Sequence, residues 1–341
     1  MSYEPPKKAI ITGGREIGGV ESFAAGLAAG FEQHGVASEV VSPGKLLSRW
    51  GELRDRRLLK VLSTTAQFAA PLARRAICIA HGHPQATIQG WPRMLVSLAT
   101  FKLANQFSEV SLVAVSDYIA AQLRASYRIR IDGVVRNPLK PIYLEPLREE
   151  FERNYITYVG RLVSSKNLDL LLPVVRQLIR ENPSLKACIV GNGPELDNLK
   201  QIADGDRSIE FLGNPDDLFV RDLLRRSRVF ISGNPVEGLG ITYLEALSQG
   251  CVVAMPAGGG GLELGLEQIG KQIQLLPITL GFPESLTVLR NAVNVKCSPM
   301  SMSAYTPKAV AAAYLQIDMQ RFTSLKHADS RGMSRQRQLP S

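Results

Sequence analysis

Short apolar runs alternate along the chain with longer segments in which apolar residues follow helical spacing. Brief apolar runs bounded by glycine, proline or polar clusters predict buried strands, and a 3.6-residue period predicts helices. The predicted strands are residues 7–12, 37–42, 76–80, 110–116, 155–159, 185–190, 209–212, 229–231 and 251–255. The predicted helices are residues 22–34, 91–106, 118–127, 218–227 and 306–322, one from residue 168 and one that ends near residue 250. This order predicts an α/β protein.

Proline residues and a run of charges predict a domain boundary near the middle of the chain. Pro138, Pro141 and Pro146 precede the charged run 148–153, a composition typical of a linker. We therefore expect two doubly wound Rossmann-like domains, residues 1–148 and 149–305. Residues 324–341 are polar and basic with few apolar residues, and this composition predicts a disordered tail.

The stretch from residue 46 to residue 76 combines apolar and basic residues in a partly helical pattern. Two interpretations fit it. In one, a surface helix contacts anionic lipid headgroups; in the other, an ordinary helix exposes its arginines to water. The basic residues concerned are Arg54, Arg56, Arg57, Lys60, Arg74 and Arg75.

Composition narrows the class of partner. The chain has 341 residues, 45% of them apolar, and a net charge of +9, which predicts an anionic partner. No zinc-finger spacing or aromatic RNA-binding signature is present, so nucleic acid is not predicted. The sequence shows no signal peptide or apolar run of membrane-spanning length, and its scattered cysteines are typical of free thiols in a reducing compartment. A cytoplasmic location is therefore expected.

A loop between the strand 229–231 and the following helix carries the most chemical information. Gly238 and Gly240 flank Leu239 in this loop, so backbone amides there can approach a phosphate at a helix start. Glu237 lies in the loop and Glu245 in the helix, and carboxylates accept hydrogen bonds from sugar hydroxyls. The alternative is a plain strand-to-helix turn with two solvated glutamates.

The spacing of Glu237 and Glu245 resembles the Glu-x7-Glu signature of the retaining glycosyltransferases of family 4. That resemblance implies a GT-B fold, in which two Rossmann-like domains face a central cleft and a last helix, here 306–323, crosses back to the N-terminal domain. It implies that Glu237 contacts the donor sugar and Glu245 the donor ribose, assisted by the backbone of Gly238, Leu239, Gly240 and Ile241. The sequence has Leu239 where the family usually has Phe.

Two further loops extend the resemblance. Arg161 and Lys166 lie in a segment similar to the family's Gly-Arg-Leu…Lys loop, which implies contacts with the donor diphosphate. Fixed cations there stabilise the charge that develops on the leaving group. Gly18 and Gly19 belong to a segment that resembles the family's Gly-Gly-x-Glu loop at the donor phosphates; a glycine turn at a helix start is the alternative.

A histidine pair follows the strand 76–80. Family 4 enzymes often carry a histidine here, near the reacting sugar, and His83 matches best, with His81 second. A surface histidine and a loop-capping histidine are the plain alternative. Two histidines without a third ligand do not predict a metal site, and Asp204-Gly205-Asp206 precedes a strand and is interpreted as a polar turn. We expect neither a metal nor a cofactor.

Together, these features and the resemblance predict a retaining glycosyltransferase. The expected donor is a UDP- or GDP-linked sugar, and the expected acceptor is a glycan or lipid-linked hydroxyl in cell-surface polysaccharide or glycoconjugate synthesis. A lipid-linked acceptor would place the protein at the inner face of the membrane, in contact with its anionic surface. Two alternatives remain: a nucleotide-sugar epimerase of the same fold and a non-catalytic nucleotide-sugar-binding partner.

Overall fold

The computed structural model describes residues 3–13, 19–82, 91–107, 109–147 and 151–336. The chain divides into two compact units, residues 1–140 with 304–341, and residues 141–303. Each unit is built on a six-stranded sheet in which the paired strands are parallel. The predicted α/β architecture of two doubly wound sheets is thus confirmed.

The sheet of the first unit has the order β2-β1-β3-β4-β5-β6. Its strands are β1 (Lys8–Thr12), β2 (Ala37–Val41), β3 (Leu58–Leu62), β4 (Ala76–Ala80), β5 (Val110–Ala114) and β6 (Gly133–Val134). Its helices are α1 (Gly19–Glu32), α2 (Pro43–Leu46), α3 (Trp50–Arg54), α4 (Trp91–Ala104), α5 (Asp117–Tyr127) and α11 (Pro307–Gln336), and 3-10 turns lie at Leu47–Arg49, Thr64–Leu72 and Ser303–Tyr305. The central strands β4 and β5 are buried throughout, as expected of strands covered on both faces.

Residues 46–76 contain a buried strand, β3, where both interpretations of the sequence assumed a long helix. Leu59 and Val61 have no exposed surface, and β3 pairs with β1 on one side and β4 on the other. Lys60 is also buried, and its Nζ donates to the carbonyl oxygens of Asp55 at 2.7 Å and Leu58 at 2.8 Å. The long helix that both interpretations assumed is wrong, because pairing and burial on two sides outweigh a local helical period; contact with anionic lipid stays a prediction.

The last helix, α11, packs against α1 in the first unit. The backbones approach so closely that a Cβ on Gly30 would lie 2.1 Å from the carbonyl oxygen of Pro307. Asp318 on α11 forms a buried ion pair with Arg75 at 2.7 Å and accepts a hydrogen bond from Tyr3 Oη at 2.9 Å. The helix continues to Gln336, and residues 337–341 lie outside the described part; the disordered tail expected from residue 324 stays a prediction.

The sheet of the second unit has the order β12-β11-β10-β7-β8-β9. Its strands are β7 (Tyr155–Val159), β8 (Lys186–Val190), β9 (Ile209–Gly213), β10 (Ser227–Ile231), β11 (Val252–Pro256) and β12 (Ile273–Leu276). Its helices are α6 (Leu168–Glu181), α7 (Leu196–Ala203), α8 (Asp217–Arg225), α9 (Ile241–Ser248) and α10 (Phe282–Ala292), with 3-10 turns at Pro141–Leu144, Ser164–Lys166, Gly260–Leu264 and Leu266–Gln268. Strand β12 was not predicted from the sequence.

The strand order of this second sheet reverses between β7 and β10. From β7 the chain builds outward through β8 and β9, and it then returns to the other side of β7 and builds outward from β10 to β12. Ligands of open α/β sheets bind outside the carboxyl ends of the strands at such a reversal. The loops that follow β7 and β10 therefore occupy the position where a ligand site is expected.

Candidate functional site

The loops after β7 and β10 contact each other at the carboxyl edge of the second unit's sheet. Asn167 ends the first loop in a left-handed conformation (φ +48°), and its Nδ2 donates to the carbonyl oxygen of Gly233 at 2.8 Å. A Cβ on Gly233 would lie 2.6 Å from the carbonyl oxygen of Lys166. The two backbones can meet here because Gly233 has no side chain.

Lys166 and Glu237 form an ion pair across this contact. The distance from Nζ to Oε2 is 2.5 Å, and the two side chains are 20% and 24% exposed. Asn234 Nδ2 donates to the same carboxylate oxygen at 2.9 Å, and Asn234 Oδ1 accepts from the amide of Val236 at 3.2 Å. The structure thus brings together Lys166 and Glu237, which the sequence analysis assigned to one site.

The surroundings of Glu237 lower the pKa of its carboxyl group. Burial alone would raise this pKa, but the charge of Lys166 and hydrogen bonds from Lys166, Asn234 and the Gly238 amide outweigh burial. At neutral pH Glu237 is therefore an ionised carboxylate. It accepts hydrogen bonds and donates none.

The glycine-rich loop after β11 packs against the backbone of Glu237. The amide of Gly260 donates to the Glu237 carbonyl oxygen at 2.8 Å. Gly259 adopts φ +75°, and a Cβ there would lie 2.7 Å from that same oxygen. Three loops, after β7, β10 and β11, therefore fix the position of one glutamate.

Helix α9 begins at Ile241, directly after the loop that carries Glu237, Gly238 and Gly240. Gly240 precedes the helix with φ +80°, and Leu239 is 1% exposed, so Leu239 can contribute to a ligand site only through its backbone. The Tyr243 hydroxyl donates to Ser232 Oγ at 2.7 Å, both buried, and this bond ties the first turn of α9 to the end of β10. Amides at such a helix start carry partial positive charge.

Glu245 lies on α9, one helical turn after Ile241. Only 6% of this residue is exposed. The backbone oxygen of Glu245 accepts hydrogen bonds from Ser248 Oγ at 2.7 Å and from the Gln249 amide at 3.2 Å. The helix that starts beside Glu237 thus carries the second predicted glutamate in a largely buried position.

Arg161 follows β7 in the same loop as Lys166, and its residue surface is exposed. Its carbonyl oxygen accepts a hydrogen bond from the Tyr158 hydroxyl at 2.9 Å. In the described part of the chain its guanidinium group does not take part in the contacts to Glu237. Arg161 therefore lies on the same loop as Lys166, at an exposed position.

The predicted site residues of the first unit are only partly described. Gly18 and His83 lie outside the described residues, and Gly19 is the first residue of α1. His81 follows β4, and its ring packs edge-on against Phe23 with centroids 4.8 Å apart. Its Nε2 is buried with no hydrogen-bond partner among the described residues, and burial lowers the pKa of His81 to about 4.

Sequence analysis missed two asparagines that organise the site, Asn167 and Asn234. Asn167 joins the two loops, and Asn234 holds the carboxylate of Glu237. The Asn234-Pro235 dipeptide is itself a turn signal, and asparagine bonds the backbone two residues on in such turns. That signal predicts the turn but not the long-range partner of Asn167.

The Asp204-Gly205-Asp206 segment is a turn between α7 and β9. Asp206 Oδ1 accepts a hydrogen bond from the amide of Ser208 at 3.0 Å, and Asp204 ends α7 with φ +54°, so the predicted polar turn is confirmed. Within the described ranges, no cluster of three or more His, Cys, Asp or Glu residues is arranged to hold a metal ion. In the same ranges, no helix combines the length and apolar character that crossing a bilayer requires.

Comparison with known sequences finds a family profile that matches the segment containing Lys166, Glu237 and Glu245. Residues 141–264 match the sequence profile of the family described as Glycosyl transferases group 1. The chain is 28% identical over 173 residues to a subunit of the human phosphatidylinositol N-acetylglucosaminyltransferase, covering 46% of this chain and 35% of that protein. It is 27% identical over 230 residues to the GDP-mannose-dependent alpha-(1-6)-phosphatidylinositol monomannoside mannosyltransferase of Mycolicibacterium smegmatis, covering 58% of this chain and 57% of that protein. The chain thus spans less than two thirds of the length of either relative.

Solved structures share the fold over nearly the whole chain. Anabaena Alr3699/HepE in complex with UDP and glucose superposes with a TM-score of 0.64 at 17% identity, covering 94% of this chain and 100% of that chain. WaaG, a glycosyltransferase involved in lipopolysaccharide biosynthesis, superposes with a TM-score of 0.65 at 14% identity, covering 90% and 95%. The fold is therefore that of the GT-B glycosyltransferases.

Proposed function

We propose that this protein is a retaining glycosyltransferase of the family 4 type. It moves a sugar from a UDP- or GDP-linked donor to a hydroxyl of a glycan or lipid-linked acceptor. The cluster of Lys166, Glu237 and Asn234 at the start of the helix that carries Glu245 is the observation that supports this function. The cluster lies inside the segment matched by the group 1 profile, and the mycobacterial relative is named as GDP-mannose-dependent.

The proposed donor site assigns one role to each group. Glu237, ionised and fixed by three loops, accepts hydrogen bonds from the donor sugar, and Glu245 accepts hydrogen bonds from the ribose. Lys166 and Arg161 stabilise the diphosphate. The amides of residues 238–241 at the start of α9 add partial positive charge to the same region. Gly18 and Gly19 keep the role of phosphate ligands that the sequence predicts for them.

The proposed reaction exchanges one bond at the anomeric carbon. The bond from that carbon to the phosphate oxygen breaks, the acceptor oxygen attacks on the same face, and the departing phosphate takes the acceptor proton. Negative charge grows on the leaving diphosphate, so fixed cations stabilise the transition state more than the ground state. Glu237 is engaged by Lys166 and Asn234, which favours a hydrogen-bonding role over that of a covalent nucleophile. His83, with His81 as the alternative, acts near the reacting sugar.

We propose that the first unit contacts an anionic membrane surface that presents the acceptor. This unit has 24 Lys and Arg residues against 12 Asp and Glu, whereas the second has 16 against 19. Apolar side chains are exposed on neighbouring elements of the first unit, among them Trp50 at 48%, Phe68 at 41% and Val96 at 64%. Arg54 lies over the Trp50 ring at 5.6 Å, and paired aromatic and cationic groups are typical of surfaces that bind anionic lipids.

Thermal unfolding in the presence of nucleotides tests the donor site. UDP, GDP and their sugar conjugates are added to the wild type, to Glu245→Gln and to the matched control Glu210→Gln, which alters an exposed glutamate of the same unit. A ligand at 100 times its dissociation constant stabilises a protein by about 2.7 kcal/mol. We expect the nucleotides of one base, uracil or guanine, to raise the Tm of the wild type and of the control. The same nucleotides should raise the Tm of Glu245→Gln by a smaller amount. The absence of a shift with every nucleotide contradicts the proposed site.

Product analysis tests the reaction. The sugar nucleotide that raises the Tm is incubated with candidate acceptors, once without added metal and once with EDTA. The anomeric configuration of the product is then determined by NMR. We expect a glycoside with the donor's configuration and equal rates in the two buffers. An epimerised donor formed without acceptor would identify an epimerase, and an inverted product would exclude retention.

A further inference from the structure

Helix α9 is fixed at both ends by buried side-chain hydrogen bonds. Tyr243 and Ser232 fix its first turn. At the other end Gln249, which has no exposed surface, terminates the helix. Gln249 Nε2 donates to the carbonyl oxygen of Tyr143 at 3.0 Å, and Oε1 accepts from Arg225 Nε at 3.0 Å.

Both ends of one chain segment converge on Gln249. The segment 141–154 is the part of the chain that enters the second unit from the first. Tyr143, near its start, accepts from the Gln249 side chain, and Arg153, near its end, donates through Nη2 to the Gln249 backbone oxygen at 2.7 Å. One residue therefore connects the end of α9 to two points of this entry segment.

Gln249 also lies on the same face of the helix as Glu245. Residues four positions apart project from the same side. Tyr143, 2% exposed, is close to both: its backbone accepts from Gln249, and burial together with the Glu245 charge raises the pKa of its phenol. Tyr143 is thus close to the face of α9 that carries Glu245.

We propose that Gln249 is a positioning residue for donor binding, which acts by holding the Glu245 face of α9 against Tyr143. The proposal rests on the proposed function of Glu245 as the ribose ligand. Without the Gln249 side-chain bonds, the last turn of α9 is no longer tied to Tyr143, and Glu245 shifts from its binding position. Donor affinity then falls although Gln249 itself does not touch the donor.

Nucleotide titration of substituted proteins tests this role. Gln249→Met removes the side-chain bonds to Tyr143, Arg225 and Ser248, whereas Gln249→Glu keeps an acceptor for Arg225 and loses the Nε2 donations to Tyr143 and Ser248. The matched control is Gln272→Met, because Gln272 is also buried at 5% exposure and donates to the backbone oxygens of Cys251 and Ser298. We expect about a tenfold rise in the nucleotide Kd for both Gln249 variants and no rise for the control, although all three lower the Tm.

A double-mutant cycle separates positioning from general damage. If Gln249 acts through Glu245, the neutral variant Gln249→Met in a Glu245→Gln background produces no further rise in Kd. Equal affinity of the wild type and the Gln249 variants overturns the inference while leaving the donor site intact. The inference is also overturned if the rises in Kd caused by the Gln249 and Glu245 substitutions are fully additive. The same holds if Gln272→Met raises the Kd as much as the Gln249 variants do. Failure of the wild type to bind any nucleotide would instead contradict the proposed function.

Discussion

At the scale of single residues, the contact between Lys166 and Glu237 affects stability in a pH-dependent way. Lys166 and Asn234 lower the pKa of Glu237 from its ordinary value of 4.5. Their interactions with the Glu237 carboxylate therefore stabilise the fold at pH values above 4.5, and this stabilisation is lost as the pH falls through the lowered pKa. Lys166→Met should cost about 1–3 kcal/mol at pH 7, because it leaves a partly buried carboxylate with fewer partners. Urea unfolding at pH 7 and in acid measures this difference.

The loss of stability caused by Lys166→Met should become smaller as the pH falls. In Lys166→Met, burial acts on Glu237 without the opposing cation, so its pKa rises above the wild-type value. The stability difference between wild type and variant should therefore shrink as the pH falls below 4.5. The control Lys166→Met/Glu237→Gln should recover part of the loss at pH 7. A difference that stays constant with pH would contradict the ion-pair explanation.

His81 gives a second prediction at this scale. Burial lowers its pKa from 6.5 to about 4, so the unfolded chain binds a proton at a pH where the folded protein does not. Burial of neutral His81 therefore has no cost from protonation above pH 6.5, and the stability of the folded protein falls progressively between pH 6.5 and 4 as the unfolded chain binds this proton. Urea unfolding across this range should show a smaller loss of stability for His81→Phe than for the wild type.

At the scale of elements, the start of α9 depends on Gly240. Its φ of +80° is strained for any other residue, and a Cβ would lie 2.4 Å from the Tyr243 ring. Gly205 is a useful comparison, since it has φ +67° and a Cβ there would meet no atom within 4 Å. Gly205→Ala should cost about 1–2 kcal/mol from backbone strain alone.

Gly240→Ala should cost clearly more than Gly205→Ala, because it adds displacement of the Tyr243 ring to the same backbone strain. Urea unfolding compares the free energies of the two variants. Nucleotide titration should also show weaker binding for Gly240→Ala alone, since its loop carries Glu237. Equal losses in the two variants would show that the ring contact has no energetic consequence.

At the scale of the whole molecule, the charge difference between the units predicts salt-dependent membrane binding. The full chain is sedimented with vesicles of phosphatidylcholine alone and with vesicles that contain phosphatidylserine. We expect binding to the anionic vesicles only, and release as salt rises, because exposed charges are screened within about 10 Å at 0.1 M salt.

The apolar contribution to vesicle binding is tested at Trp50. Trp50→Ser should weaken binding to anionic vesicles severalfold, because it removes an apolar ring that would insert between the lipids. Leu266→Ser is the control, since Leu266 is 72% exposed in the second unit. Equal loss in both variants, or binding that salt does not reduce, would contradict docking through the first unit.

The sequence predicted most elements of both units because their strands are short apolar runs between turn signals. It failed at β3, where Lys60 interrupts the apolar run and neighbouring arginines suggest a helix face. The reason is tertiary: the Lys60 ammonium is bonded to two backbone oxygens at the start of the strand, and its aliphatic stem is buried. It also missed β12, a four-residue strand that gains its stability from pairing with β11.

The sequence by itself determined the α/β architecture, the loops that carry Glu237, Arg161 and Lys166, the helix that carries Glu245, and the turns that flank them. These features follow from local spacing and backbone preference, which act between near neighbours in the chain. The tertiary structure alone decided that Lys166 pairs with Glu237, that Asn167 joins two loops and that Gln249 ties α9 to residue 143. The partners in these contacts are 66 to 106 residues apart, and only the strand order, which places β7 beside β10, brings the loops together.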